Sequence, residues 1–370
     1  MSGRLIPTNI FTPFKWAGNL LAQGIFSPRN AQFPFTVDNG TRILFLRHDA
    51  LGDMISTVPM LKLVKENFPN AEIHVLCTHA NVSFIEYCDF IDHIHITDKS
   101  ILDSPFRHIS TIRQLRSLNS DIIVNCLTSK ASKNGVITAL LSHNTTLSSS
   151  VYLGDRYAKY VSAQSHRASK MKTMWEKMFM LGIETFGLSE ENQAVIPILP
   201  SLPIHKEVAQ QTLQSLSISI GAYIAINVSV GQERNSWSKE SYTSLLEYLI
   251  AKGEQPILFG LQKDSHLIDD LMKQFPTLLH YPYDRHILEI GEALRLASYG
   301  LSPDTGFLHV ASAARCPMIG LYCYLPEHAI DEWAPYGMIN RKVISSTQYV
   351  KDIPLQHVLD ACDELTSLIR

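Results

Sequence analysis

The chain has 370 residues, enough for two domains of ordinary size that each bury a core. With 45% apolar and 18% charged residues and a formal net charge of −3, it has a globular composition and no global attraction to nucleic acid. It lacks an apolar run long enough to span a bilayer, and its six scattered cysteines form no zinc or disulfide spacing, so a cytoplasmic protein with buried thiols is expected.

Residues 1–40 read as an extension. Ile10, Phe11, Phe14, Trp16, Leu20, Leu21, Ile25 and Phe26 are interleaved with Lys15 and Arg29, and Pro13, Asn19 and Gln23 break any signal-peptide core. Such a segment either packs on its own domain or lies in a membrane interface, which leaves peripheral membrane contact open.

From Arg42 strands and helices alternate. Ile43–Leu46 reads as a buried strand that turns through Arg47-His48-Asp49-Ala50-Leu51-Gly52 into a helix from about Asp53 to Asn67. Strand 72–77 follows, then a helix near 80–87, strand 91–97, a helix near 110–118 and strand 122–126. Helix-length intervals between strands imply right-handed crossovers and a doubly wound parallel sheet, with ligands beyond the carboxyl ends of its strands. Asp53 stands at such an end.

Between Lys130 and Lys177 eight cations (Lys130, Lys133, Arg156, Lys159, Arg167, Lys170, Lys172, Lys177) face only Asp155 and Glu176. This is either a solvated helix face or a docking surface for an anionic acceptor, for which Arg167 and Lys170 are the candidates. The proline-bearing stretch 187–205 reads as a linker, so the expected division is 1–40, 41–190, 191–353 and a last helix, 354–370, that possibly crosses back to the first domain.

The second series begins with strand 223–228, which leads through Ser229 to Lys239 into a helix at 238–252. Strand 256–259 follows, then Asp264 at a helix start and a helix at 287–298. Next comes Ser302-Pro303-Asp304-Thr305-Gly306-Phe307-Leu308-His309. Here Asp304 or Thr305 caps a helix whose free N–H groups suit an anion.

The first loop, Trp237, Asp304-Thr305-Gly306, His309 and Trp333-Ala334-Pro335-Tyr336-Gly337 together resemble the family-9 glycosyltransferases, the heptosyltransferases of lipopolysaccharide assembly, from about Arg42 to Gly337. The resemblance implies a GT-B fold, two Rossmann-like α/β domains facing across a cleft. It also implies inverting transfer of a sugar, usually heptose from ADP-heptose, to a lipid-linked or lipopolysaccharide-core acceptor at the inner face of the cytoplasmic membrane. No metal cofactor is expected; the nucleotide sugar is a co-substrate.

Asp53 would then be the base. Ser229, Asp264, Asp304, Thr305, Gly306 and His309 would meet the donor. The family commonly carries a lysine two residues before the tryptophan matched by Trp237, where this chain has Asn235. Either Arg234 or Lys239 replaces it, or the donor binds differently. The alternatives are a sugar- or nucleotide-binding protein without turnover, and the same reaction with another nucleotide sugar.

Overall fold

A computed structural model describes residues 28–103, 105–129, 132–190, 196–325 and 330–369. The apolar and basic residues of the first 27 positions, with Lys130 and Glu191, lie outside the described residues.

The first half runs β1 (Arg42–Leu46), α1 (Leu51–Asn67), β2 (Glu72–Thr78), β3 (His93–Thr97), α2 (Ile109–Ser117), β4 (Ile122–Asn125), α3 (Ser132–Leu141), β5 (Leu147–Val151), β6 (Ala163–Ser165), α4 (His166–Ser169) and α5 (Met174–Phe186). The second runs α6 (Pro203–Ser215), β7 (Ile224–Asn227), α7 (Lys239–Ala251), β8 (Pro256–Phe259), α8 (Ser265–Gln274), β9 (Leu279–His280), α9 (Ile287–Arg295), β10 (Tyr299–Pro303) and α10 (Gly306–Ala314). It ends with β11 (Met318–Tyr322), α11 (Ile330–Trp333), β12 (Asn340–Ile344) and α12 (Leu355–Ile369).

Each half builds a six-stranded sheet, ordered β3-β2-β1-β4-β5-β6 and β12-β11-β10-β7-β8-β9. All pairs are parallel; Phe45 of β1 lies opposite Val75 of β2 and Val124 of β4. The near-continuous apolar runs of the central strands follow from burial on both faces. In each sheet the order reverses at a central pair, β1/β4 and β7/β10, and the crevice there is where such sheets take ligands. This is the architecture that the alternation of strands and helices implies.

Three local expectations are corrected. The stretch near residues 80–87 holds only a short 3₁₀ turn, Val82–Phe84, because Asn81 spends its carboxamide on the Thr78 amide and the Arg47 carbonyl. Within the expected linker, Pro203 starts α6, its fixed φ suiting a first helical position. The last helix does not cross back: α12 buries Val358, Cys362 and Leu365 in the apolar cluster of the second sheet, against β11, β12 and α7. All six cysteines are buried and unpaired.

One apolar cluster joins the halves, running from Phe45 and Val58 through Trp175 and Leu308 to Tyr223 and Met318. Helices α1 and α10 pack directly on each other at its centre. The cleft is therefore floored by two helix starts. Among the described residues no helix is long and apolar enough to cross a membrane.

Candidate active site

The first order reversal is organised by Arg47, which follows β1 and is fully buried. Its Nε donates to the Asp53 carbonyl and to Thr57 Oγ1, both at 2.8 Å. Nη1 donates to Asp49 Oδ2 at 3.1 Å and to the Cys126 carbonyl beyond β4. Nη2 has no hydrogen-bond partner and stands 3.5 Å from Asp53 Oδ1. A buried cation needs such compensation, and here one guanidinium serves two carboxylates.

That imbalance shows in Asp49. Burial raises its carboxyl to about 7 against the pull of Arg47, with Asp53 adding to the rise, and Oδ1 is buried without a partner. Asp53 is oriented instead by position, in the first turn of α1, where the helix dipole favours a carboxylate. Next to them His48 is buried with both ring nitrogens unpartnered, and burial together with Arg47 lowers it to about 4.

The second reversal is organised by Asn227 at the end of β7. Its Nδ2 reaches Ser302 Oγ at 2.9 Å, the Ser229 carbonyl at 3.1 Å and Thr305 Oγ1 at 3.3 Å. Thr305 is the cap of α10, accepting from the Phe307 amide at 3.3 Å. Asn235, where the family lysine was expected, is buried and donates to the Asp304 carbonyl at 3.0 Å. It braces the Asp304-Thr305 loop that leads into α10. Arg234, one residue earlier, keeps a buried Nε with no partner, close enough to the Cys323 thiol to act on it electrostatically alongside Asp304.

The reversals meet at Gly52 and His309. A Cβ on Gly52 would stand 2.5 Å from His309 Cδ2, so only glycine allows this approach. His309 is buried against Trp175 (ring centroids 6.4 Å) and Trp333 (6.2 Å). Burial lowers its pKa, with Asp304 and Asp53 opposing, so it stands neutral at neutral pH. Trp175 also stacks on Tyr336 at 6.2 Å. Among the described residues no group of three or more His, Cys, Asp or Glu side chains is placed to hold a metal ion.

Of the residues singled out in the sequence, Asp53, Asp304, Thr305, Gly306 and His309 come together, Gly306 packing on Leu51. Ser229 and Asp264 meet each other: the Ser229 hydroxyl donates to Asp264 Oδ2 and accepts from the Leu261 amide at 2.7 Å, so its hydrogen is already committed. Lys239 is not brought to them; its ammonium pairs with Asp270 on the surface at 2.7 Å. Arg167 pairs with Glu190 at 2.7 Å, and Lys170 is exposed after α4. Sequence reasoning assigned no role to Arg47, Asn227 or Trp175. A lone polar residue ending an apolar strand was the available signal for the first two.

The model of glycosyltransferase family 9 (heptosyltransferase) matches residues 109–358. Lipopolysaccharide heptosyltransferase 3 of Escherichia coli is 23% identical over 352 residues, covering 85% of this chain and 96% of its own. A solved family-9 glycosyl transferase from Veillonella parvula superposes with a TM-score of 0.71 at 15% identity, over 89% of this chain and 98% of that one. An Escherichia coli heptosyltransferase solved with ADP-2-deoxy-2-fluoro heptose gives 0.68 at 16% identity, over 88% and 99%. At such identities the superpositions establish the shared fold.

Proposed function

The chain belongs to glycosyltransferase family 9 and is a glycosyltransferase of GT-B fold, and from that premise we propose that it moves heptose from ADP-heptose onto a lipopolysaccharide-core or other lipid-linked acceptor, with inversion and without a metal. In this reading residues 41–190 hold the acceptor and 191–353 the donor. The reaction runs at the cytoplasmic face of the inner membrane.

The observation that carries the reading is the meeting of α1 and α10 at Gly52 and His309, which sets Asp53 of one half against the anion loop of the other. Asp53 takes the proton of the acceptor hydroxyl as its oxygen attacks the anomeric carbon. The bond from that carbon to the diphosphate breaks on the opposite face. The negative charge arriving on the leaving diphosphate is met by the N–H groups opening α10 and by Arg234. His309, neutral, offers a ring nitrogen without adding charge beside Asp53. Support for the donor and acceptor comes from the relatives: one is named a lipopolysaccharide heptosyltransferase and another was solved with an ADP-heptose analogue.

A donor panel tests this. Purified protein titrated by calorimetry with ADP-heptose and with UDP and GDP sugars is expected to bind the first. Arg234→Ala should weaken that binding by about 1.5 kcal/mol or more, the scale of a hydrogen bond to charge. A preference for another nucleotide would overturn the donor assignment and leave the family standing. Tight donor binding with no transfer to any lipid-linked sugar would overturn the acceptor assignment and leave the family standing.

A further inference from the structure

The halves also touch away from Gly52 and His309. Glu86 and Tyr87, just past the Val82–Phe84 turn of the first half, stand against His205 of α6 and His286 at the head of α9 in the second. The Tyr87 ring lies edge-on to His205 (centroids 4.8 Å) and to His286 (5.7 Å), and the two imidazoles stack on each other at 5.3 Å. His286 Nε2 is 2.6 Å from Glu86 Oε1.

This joint connects to both sides of the site. Asn81, which opens the turn before Tyr87, donates to the carbonyls of Arg47 at 3.0 Å and Ala50 at 3.4 Å, so the segment is anchored on the loop that leads to Asp53. On the other side α9 packs on α10, whose start follows Asp304 and Thr305.

Both histidines also cap helices, and that fixes their protonation. His205 Nδ1 accepts from the Leu202 amide at 2.9 Å, and His286 Nδ1 accepts from the Leu288 amide at 3.3 Å. A neutral ring that accepts at Nδ1 carries its hydrogen on Nε2, which at His286 is the atom that donates to Glu86. A second proton has only Nδ1 to take. There it would face an amide N–H, undo the cap and charge a stacked pair. Glu86 offsets a charge on His286 but cannot restore its cap. Glu289 and Glu292 also face His205; Glu289 accepts from the His286 amide at 3.3 Å and lies 4.0 Å from Arg285, and Glu292 pairs with Arg295 at 3.0 Å. Burial and the His286 ring prevail over these three carboxylates and lower the His205 pKa.

We propose that this joint holds the two halves at the approach that sets Asp53 against the Asp304-Thr305 loop, and that it releases when either histidine takes a proton. What the approach serves rests on the transferase reading; the joint does not. Tyr87 is 43% exposed, so water reaches the joint directly. Because the fold favours the neutral rings, the joint is intact above about pH 6.5 and is lost as pH falls below it.

Fluorophores on Arg113→Cys of α2 and Lys273→Cys of α8, both exposed and outside the joint, report the distance between the halves in the full chain, whose native cysteines are all buried. Energy transfer should fall on acidification, with a midpoint below about pH 6.5. His205→Gln combined with His286→Asn keeps a capping acceptor on each helix without a titrating ring, and should hold the parent's neutral-pH transfer throughout. Tyr87→Ala should show the parent's acid value already at neutral pH. Unchanged transfer in the parent on acidification, or the same fall in the double variant, would overturn the proposal. So would a Tyr87→Ala chain that behaves as the parent. ADP titrated into the unlabelled parent separates the two readings: absence of binding would count against the transferase reading alone, because the distance needs no substrate.

Discussion

At the β1/β4 reversal Arg47 reaches across to the carbonyl of Cys126; at the β7/β10 reversal Asn227 reaches across to Ser302 and Thr305. Both stand at the carboxyl end of the first strand of their sheet, Arg47 just past β1 and Asn227 the last residue of β7, yet one is charged and sits among carboxylates while the other is neutral and sits among hydroxyls. A charged centre suits proton transfer, because it fixes where a carboxylate stands and whether it holds a proton. A neutral one suits a loop that meets a diphosphate, because its hydroxyls and amides can order the backbone N–H groups without adding a carboxylate that would repel the phosphates. In the proposed mechanism the same topology serves two chemistries, with Arg47 ordering the proton-transfer side and Asn227 the diphosphate side.

Breaking the charged centre should have the largest effect. Arg47→Met strands Asp49 and Asp53 without their cation, and should cost about 3–5 kcal/mol of stability by urea unfolding, the usual penalty for removing one partner of a buried pair. Smaller is the loss on the neutral side. Asn227→Ala leaves the Ser302 and Thr305 hydroxyls without their donor, and should cost about 1–3 kcal/mol while weakening ADP binding about tenfold.

The smallest effect sharpens the comparison through pH. Because the fold raises the Asp49 carboxyl to about 7, its protonated form is the one the fold favours. The stability this gives is present at about pH 4 and is lost as pH rises through about 7. Asp49→Asn removes the titration. Between pH 5 and 8 its stability should fall less than that of the parent, by roughly 2 kcal/mol. Asn227 carries no titratable group, so Asn227→Ala should leave the shape of the profile alone.

Much of this was legible in the sequence. Apolar runs such as Ile43–Leu46 and Ile224–Ile226, spaced by helix lengths, dictate two parallel sheets, and the residues that follow their carboxyl ends stand at the edge where such sheets take ligands. Asp53 and the Asp304 to His309 stretch were readable because local rules place them: a helix start, a cap, a glycine. What was not readable depends on partners far along the chain. Nothing local ties Lys239 to Asp270, Ser229 to Asp264 or Lys177 to Glu332. The C-terminal helix shows the same limit, since its apolar stripe demanded a groove without saying which, and the second sheet supplied it.

The division of labour between the reversals is tested most directly by one variant, Asp53→Asn, measured for sugar transfer and for ADP affinity on the same preparation. If proton transfer belongs to the first reversal and donor binding to the second, transfer should fall about a hundred- to ten-thousand-fold while the ADP dissociation constant stays within about twofold of the parent. A variant that transfers sugar at nearly the parent rate, or one that loses ADP affinity in step with activity, would contradict it.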